Sequence, residues 1–445
     1  MSVSSAQTIR DCYARIRALG DPGIFISLRD EADAIAEAET LNDERAHGPL
    51  AGVPVAIKDN IDVAGLATTA ACPAFAYQPA ADATVVAKLK AASAIIIGKT
   101  NLDQFATGLV GTRTPYPVPR NALRGDLIPG GSSSGSAVAV ATGIVPVALG
   151  TDTAGSGRVP AMLNNIVGLK PSLGLVSTHG VVPACRTLDC VSIFARSVDD
   201  AWAALKTIAG YDAADIYSRE RPIGPLSNAP SGYTLGVPRA DQRLFFGDAR
   251  AASDYAAALD RLRRLGYALA EIDMAPFYET ARLLYEGPWV AERYLAAKRV
   301  IEKDPAALHP VTRQIILAGA ALRATDAFAA FYRLEALRRV AADAFNEIDA
   351  LALPTAPTTY TVAQVNADPI RLNSNLGTYT NFVNLLDLCA IAVPAALHAD
   401  GTPFGMSIIA PDGQDAVAAA IARHFHADTG LTPGAPVLRA PLPAN

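Results

Sequence analysis

Short apolar runs broken by polar residues and glycines dominate the first 220 positions. The run at 55–57 (VAI) lies between Pro54 and the polar Lys58-Asp59-Asn60, which predicts a short strand. Positions 84–92 predict a helix, and 94–98 (AIIIG) a strand apolar enough to be buried on both faces. Strand, helix and strand in succession argue for an α/β fold, a large mixed, mostly parallel twisted sheet covered by helices on both faces. The first 45 residues read as helices, with 32–41 rich in alanine and glutamate. The Gly/Ser stretch 130–136 (GGSSSGS) reads as a loop opening a helix at 137–142. Amphipathic helices are expected at 248–265 and 325–345, and late strands of the same sheet at 351–353 and 390–393. The Pro/Gly/Ser-rich stretch 219–232 reads as a surface connection. One domain is expected over 1–431, made of N-terminal helices (1–48), a core (49–218) and a helical and late-strand part (233–431). A Pro-rich tail or linker, 432–445, follows it.

Composition supports a soluble core protein and removes several function classes. The chain has 445 residues, 51% hydrophobic and 18% charged, enough to bury a sizeable core. A net charge of -5 with scattered basic residues leaves no footprint for nucleic acid or an anionic membrane surface. The longest apolar stretches are interrupted by Thr142, Gly143 and Pro146, well short of the roughly 20 residues a span needs. The charged N-terminus lacks a signal-peptide core. Five cysteines without a CxxC pair argue against a disulfide framework or zinc site and fit a reducing cytoplasm. No motif asks for a metal or another cofactor.

Three polar segments carry the candidate chemistry. In 53–60 (VPVAIKDN), Lys58 follows a strand directly; burial there would lower its pKa and free an amine to act as a base. A lone lysine at a strand end more often snorkels to solvent. In 129–137 (PGGSSSGSA), glycines allow close approach of a ligand and three serines crowd one loop. The segment also matches GxSxG around Ser133, but no apolar strand leads into it, and the six histidines lie in no recognisable motif. In 149–161 (LGTDTAGSGRVPA), a strand ends at Asp152 and small residues lead to Ser156, leaving backbone N–H groups to converge as in an oxyanion hole. A phosphate-binding nest is the competing reading. The Gly-Lys-Thr at 98–100 ends a strand of isoleucines and is not a P-loop.

Together the three segments resemble the amidase signature family, and the 24 positions from Ser132 to Ser156 agree with its spacing. Further matches run through 349–357 (DALALPTAP), 380–394 (TNFVNLLDLCAIAVP) and 404–410 (FGMSIIA). The resemblance implies that Lys58 is the general base, Ser132 a bridging serine held by a cis peptide and Ser156 the nucleophile. Thr153, Ala154, Gly155 and Ser156 fall on its oxyanion-hole stretch. Two departures occur there: Ala154 replaces a commoner glycine, whose torsions its Cβ restricts, and Gly157 replaces a branched apolar residue. Asp152 and Arg158 are expected to pair and hold the turn.

Within that family the chain is most similar to the allophanate hydrolases, through 68–77, 181–195, 283–294 and 309–316. That resemblance implies substrate contacts at Tyr285, Arg293 and Gly131, with Arg293 gripping the carboxylate of a small anionic ureide. It implies hydrolysis of the terminal amide of allophanate through an acyl-enzyme, and a link to a urea carboxylase activity. The alternatives are a biuret- or carboxybiuret-type hydrolase and a component of a tRNA-dependent amidotransferase, which the scattered charge argues against. Apolar helical faces in the last third are compatible with a homodimer. The subfamily usually carries a second, C-terminal domain, and this sequence stops near where one would start.

Overall fold

The computed structural model describes residues 4–42, 48–227 and 232–435. Its strands are β1 (Phe25–Leu28), β2 (Pro54–Lys58), β3 (Ile95–Thr100), β4 (Val147–Asp152), β5 (Val167–Lys170), β6 (Cys190–Ala195), β7 (Thr234–Pro238), β8 (Ala268–Ile272), β9 (Ala350–Pro354), β10 (Leu388–Leu397) and β11 (Pro403–Pro411). Among the described residues they form one sheet in the order β1-β3-β2-β4-β6-β5-β10-β11-β9-β7-β8.

The α/β class holds, but the sheet is not mostly parallel. Only β2–β3, β2–β4, β7–β8 and β7–β9 run parallel. The six other pairings are antiparallel. The reason is connection length. The parallel pair β2–β3 is joined across the helix Thr84–Ala91, whereas β10 turns straight back into β11 through residues 398–402.

Both faces of the sheet are covered. On one, Val55, Ile57, Leu149 and Ile193 pack with the helices Val198–Ile208 and Asp415–Thr429. On the other, Ala56, Ile95, Ile97 and Phe194 pack with Ile9, Tyr13 and the helix Ser134–Ala141. That helix is buried at all eight positions, so its glycine and alanines let it lie close against the strands. Fully burying a branched or aromatic side chain in such layers stabilises by ~1.5–3 kcal/mol.

Several expectations shift. The N-terminal region holds helices Ser5–Leu19 and Glu31–Glu39, but β1 lies between them and pairs with β3; residues 43–47 lie outside the described residues. In the 219–232 connection, 219–227 form no regular element, and 228–231 lie outside the described residues. The start of the Pro-rich tail is not frayed: Gly434 N–H donates to Asn165 O at 2.7 Å and Ala435 N–H to Ala141 O at 3.0 Å. Residues 436–445 lie outside the described residues. All five cysteines are buried and free, and among the described residues no single helix is long and apolar enough to cross a membrane.

Candidate active site

β2 and β4 are adjacent and parallel, with Ile57 opposite Leu149, so Lys58 and Thr151 reach the same end of the sheet together. Lys58 is fully buried. Its Nζ lies 2.7 Å from Ser132 Oγ and 2.7 Å from Thr151 Oγ1. Burial pulls its pKa down to about 7, although the carboxylates of Asp103, Asp189 and Asp152 work against the shift. Near neutral pH a large share of the group is therefore free amine. Its lone pair can accept the Ser132 proton while an N–H still donates to Thr151.

The loop before the helix Ser134–Ala141 delivers Ser132. The Gly131–Ser132 peptide is cis. Three neighbouring serines are committed to backbone. Ser133 Oγ donates to Thr151 O at 3.2 Å, Ser134 Oγ to Asn101 O at 3.3 Å and Ser136 Oγ to Leu149 O at 2.8 Å. Ser132 is left to face the lysine. This also disposes of the GxSxG pattern, because Ser133 is buried and tied to β4. Gly131 has no room for a side chain: a Cβ there would lie 2.0 Å from Asp103 Oδ2.

The turn after β4 presents Ser156. Asp152 organises it with both oxygens, accepting the N–H groups of Gly155 (2.9 Å) and Gly157 (3.0 Å) and a two-bond Arg158 guanidinium at 2.9 Å. Burial works to raise the Asp152 pKa, but Arg158 holds it below the ordinary value. Of the four candidate oxyanion donors, Gly155 N–H is thus already occupied. The N–H groups of Thr153, Ala154 and Ser156 have no acceptor among the described residues. Gly155 takes φ +137, open to glycine, whereas Ala154 does not adopt a positive φ and is buried in the apolar cluster that includes Leu188 and Met274. The substitution at 154 therefore carries no backbone strain. At Gly157 a Cβ would meet Ser192 Cβ at 2.5 Å, which accounts for the absence of a branched residue. Ser156 Oγ is 3.5 Å from Gly108 O, a weak contact, and forms no hydrogen bond to Ser132.

Arg293 is 1% exposed and close enough to Lys58 for its charge to be felt there. Its Nη1 donates to Ala106 O at 3.2 Å and Thr107 Oγ1 at 3.1 Å. Its Nη2 reaches Tyr285 Oη at 3.5 Å, and the guanidinium carbon lies 5.1 Å from the Tyr285 ring centre. Arg293 Nε is buried without a partner. Arg113, also 1% exposed, bonds only to the carbonyls of Thr107 and Pro369 through its side chain. Neither guanidinium has a carboxylate ion-pair partner among the described residues. Tyr285 lines a cavity of about 380 Å³, shared with Leu244, Tyr278, Arg282 and Asn381.

Thr151, Asp103 and Asp189 belong to the arrangement and carry no motif of their own. Asp103 accepts the N–H groups of Val110, Gly111 and Arg113 at 3.2, 2.9 and 2.9 Å, fixing the loop against Gly131. Asp189 accepts from Thr153 Oγ1 and from the N–H groups of Ala184 and Cys185, at 2.8 and 3.2 Å for the two amides. Burial pushes its pKa up to about 6 despite those bonds. Thr151 lies inside the 149–161 segment and Asp189 inside 181–195, but only the strand register puts Thr151 beside Lys58. Lys99, the lysine of the Gly-Lys-Thr stretch, pairs with buried Asp59 at 3.1 Å. His47 lies outside the described residues.

Comparison with known proteins gives the family and its relatives. Residues 7–418 match the family model described as Amidase. The chain is 48% identical over 394 residues to a urea amidolyase of Lachancea kluyveri, covering 87% of this chain and 21% of that protein. It thus spans about a fifth of the length of that relative. It is 34% identical to a glutamyl-tRNA(Gln) amidotransferase component of Anaeromyxobacter dehalogenans (strain 2CP-C), covering 98% of this chain and 95% of that one. Among solved structures, Kluyveromyces lactis allophanate hydrolase superposes with a TM-score of 0.90 at 42% identity, covering 95% of this chain and 70% of that one.

Proposed function

The chain belongs to the amidase family, and from that premise we propose that it hydrolyses the terminal amide of allophanate. The products are ammonia and N-carboxycarbamate, which breaks down to carbon dioxide and ammonia. The observation that carries the substrate reading is Arg293, a buried guanidinium with an unpartnered Nε and, among the described residues, no carboxylate within ion-pair distance, although Asp189 and Glu292 act on its charge from farther away. Burying such a charge is costly unless an anion joins it, and a planar carboxylate fits its fork. The names and identities of the urea amidolyase and allophanate hydrolase relatives support the same substrate.

The short Lys58–Ser132 contact supports the following mechanism. Lys58, as free amine, takes the Ser132 proton across 2.7 Å. Ser156 turns from the Gly108 carbonyl toward Ser132, passes its proton to that serine and attacks the terminal amide carbon. The carbonyl π electrons move onto oxygen, where the free N–H groups of the 153–156 turn receive them. As the C–N bond breaks, the relay returns a proton to nitrogen and ammonia departs. Water then enters by the same relay and splits the ester, restoring Ser156. Arg293 and Tyr285 hold the carboxylate and thereby the orientation of the amide. A urea-carboxylating activity would supply the substrate. A homodimer belongs to the same proposal, supported by exposed Leu295, Phe328, Phe331 and Tyr332.

Ammonia release from allophanate, with biuret, urea and malonamide alongside, tests the reading. Turnover confined to allophanate supports it; preference for a neutral amide would overturn the substrate while leaving the serine chemistry. The amidotransferase likeness over nearly the whole chain favours a second reading. Ammonia release by the isolated chain from a small substrate would exclude that one.

A further inference from the structure

A ureide brings hydrogen-bond donors as well as a carboxylate, and few side chains at the site are free to accept them. Each buried carboxylate near it is already committed. Asp103 holds three backbone N–H groups, Asp152 holds two plus Arg158, and Asp189 holds Thr153 and two backbone N–H groups. Arg293, Arg113 and the free amides of the nucleophile turn only donate. A substrate N–H placed among these groups would lose its water partner and gain nothing, at a cost comparable to a lost hydrogen bond.

Two consecutive side chains supply what is missing. The segment at 380–384 wraps the nucleophile turn: Arg158 donates to Thr380 O at 3.3 Å and Asn384 Nδ2 to Asp152 O at 2.8 Å. Thr380 Oγ1 and Asn381 Oδ1 are both buried without a hydrogen-bond partner. Thr380 abuts the turn itself, 2.4 Å from where a Cβ on Gly155 would sit. Asn381 is 6% exposed and lines the 380 Å³ cavity together with Tyr285. No hydrogen bond from a described residue fixes its amide. Its Nδ2 and Oδ1 both face Gly377, 2.4 and 2.5 Å from where a Cβ on that glycine would sit.

We infer that Asn381 Oδ1 accepts the N–H of the substrate nitrogen that lies between the carboxylate and the reacting carbonyl. Asn381 is then the residue that distinguishes a ureide from its carbon counterpart, in which CH2 replaces that N–H. The inference rests on the anionic-ureide reading above, with Arg293 fixing one end of the substrate and Ser156 the other.

The test is a cycle of two substrates and two enzymes: allophanate and malonamate, its CH2 counterpart, with the wild type and Asn381→Leu. Asn381→Leu should lose about tenfold in kcat/KM on allophanate, the size of one neutral hydrogen bond, and less than twofold on malonamate. Malonamate turnover serves as the check on folding. Should the leucine not be accommodated beside Gly377, Asn381→Ala, which is smaller than the native side chain, should give the same selective loss. Equal losses on both substrates, or an unchanged rate on allophanate, would overturn the inference while leaving the substrate reading intact. A wild type inert toward allophanate would sink both.

Discussion

Replacing Lys58 by methionine separates the lysine's chemistry from its packing, because the two side chains are similar in length and only one titrates. In the folded protein the group loses its proton at about 7, against 10.5 for the ordinary side chain. The gap corresponds to about 5 kcal/mol of differential stabilisation. Between those values the unfolded chain holds one more proton than the folded one at this position. Folded stability contributed by Lys58 therefore rises with pH through that window, by about 1.4 kcal/mol per unit well inside it, and is level below 7. From pH 7 to 9 the wild type should gain about 2 kcal/mol over Lys58→Met. Other titrating groups are common to both proteins and cancel in the difference. Denaturant unfolding at pH 7, 8 and 9 reads that difference. The same group gives the rate profile its sign: with the free amine as the proposed base, kcat/KM should fall as pH drops below about 7 and level off above it. Lys58→Met should be almost inactive at every pH. Parallel unfolding curves for the two proteins would refute the reasoning, because they would mean that Lys58 keeps its proton and cannot act as a base.

Three further outcomes follow from single contacts. On the proposed reading, in which the guanidinium holds the substrate rather than the reacting atoms, Arg293→Ala should raise KM for allophanate by tenfold or more with a smaller effect on kcat; steady-state kinetics show the split. Arg158→Met should destabilise by about 3–5 kcal/mol by leaving fully buried Asp152 unpaired, measured by thermal or denaturant unfolding. Gly157→Val should lose about 1–3 kcal/mol by driving its Cβ into Ser192, and pairing it with Ser192→Gly should recover part of that loss in the same assay.

What could be read in advance depended on range. β2, β4 and β9 announced themselves as apolar runs closed by proline or a polar triplet, and the lysine and serines came with the segments that bear them. β1 escaped because FISL is four residues between two helices, none of them fully buried. β8 escaped because its ALAEI lies near the edge and is partly exposed, with no clean alternation. The parallel expectation failed because local runs reveal that strands exist, not how they turn back. At the site, Asp189 and Asp103 are isolated acids whose work is to gather backbone N–H groups of other loops, and nothing in their neighbours marks that. The occupied N–H of Gly155 was invisible for the same reason, since a glycine-rich turn looks like a set of free donors until Asp152 is placed. Arg293 was visible only through the likeness of its segment to a family, because a helix arginine with glutamates nearby otherwise reads as a surface residue.

The central claim is that Ser156, activated through Ser132 and Lys58, is the nucleophile. Peptide mapping after labelling with a fluorophosphonate tests it most directly, because cleavage before Asp152 separates Ser156 from the consecutive serines at 132–134. The account predicts one label, on Ser156, absent in Ser156→Ala and strongly slowed in Lys58→Met and Ser132→Ala. A label on the 132–134 serines, or labelling of Ser156 at an undiminished rate without Lys58, would contradict it.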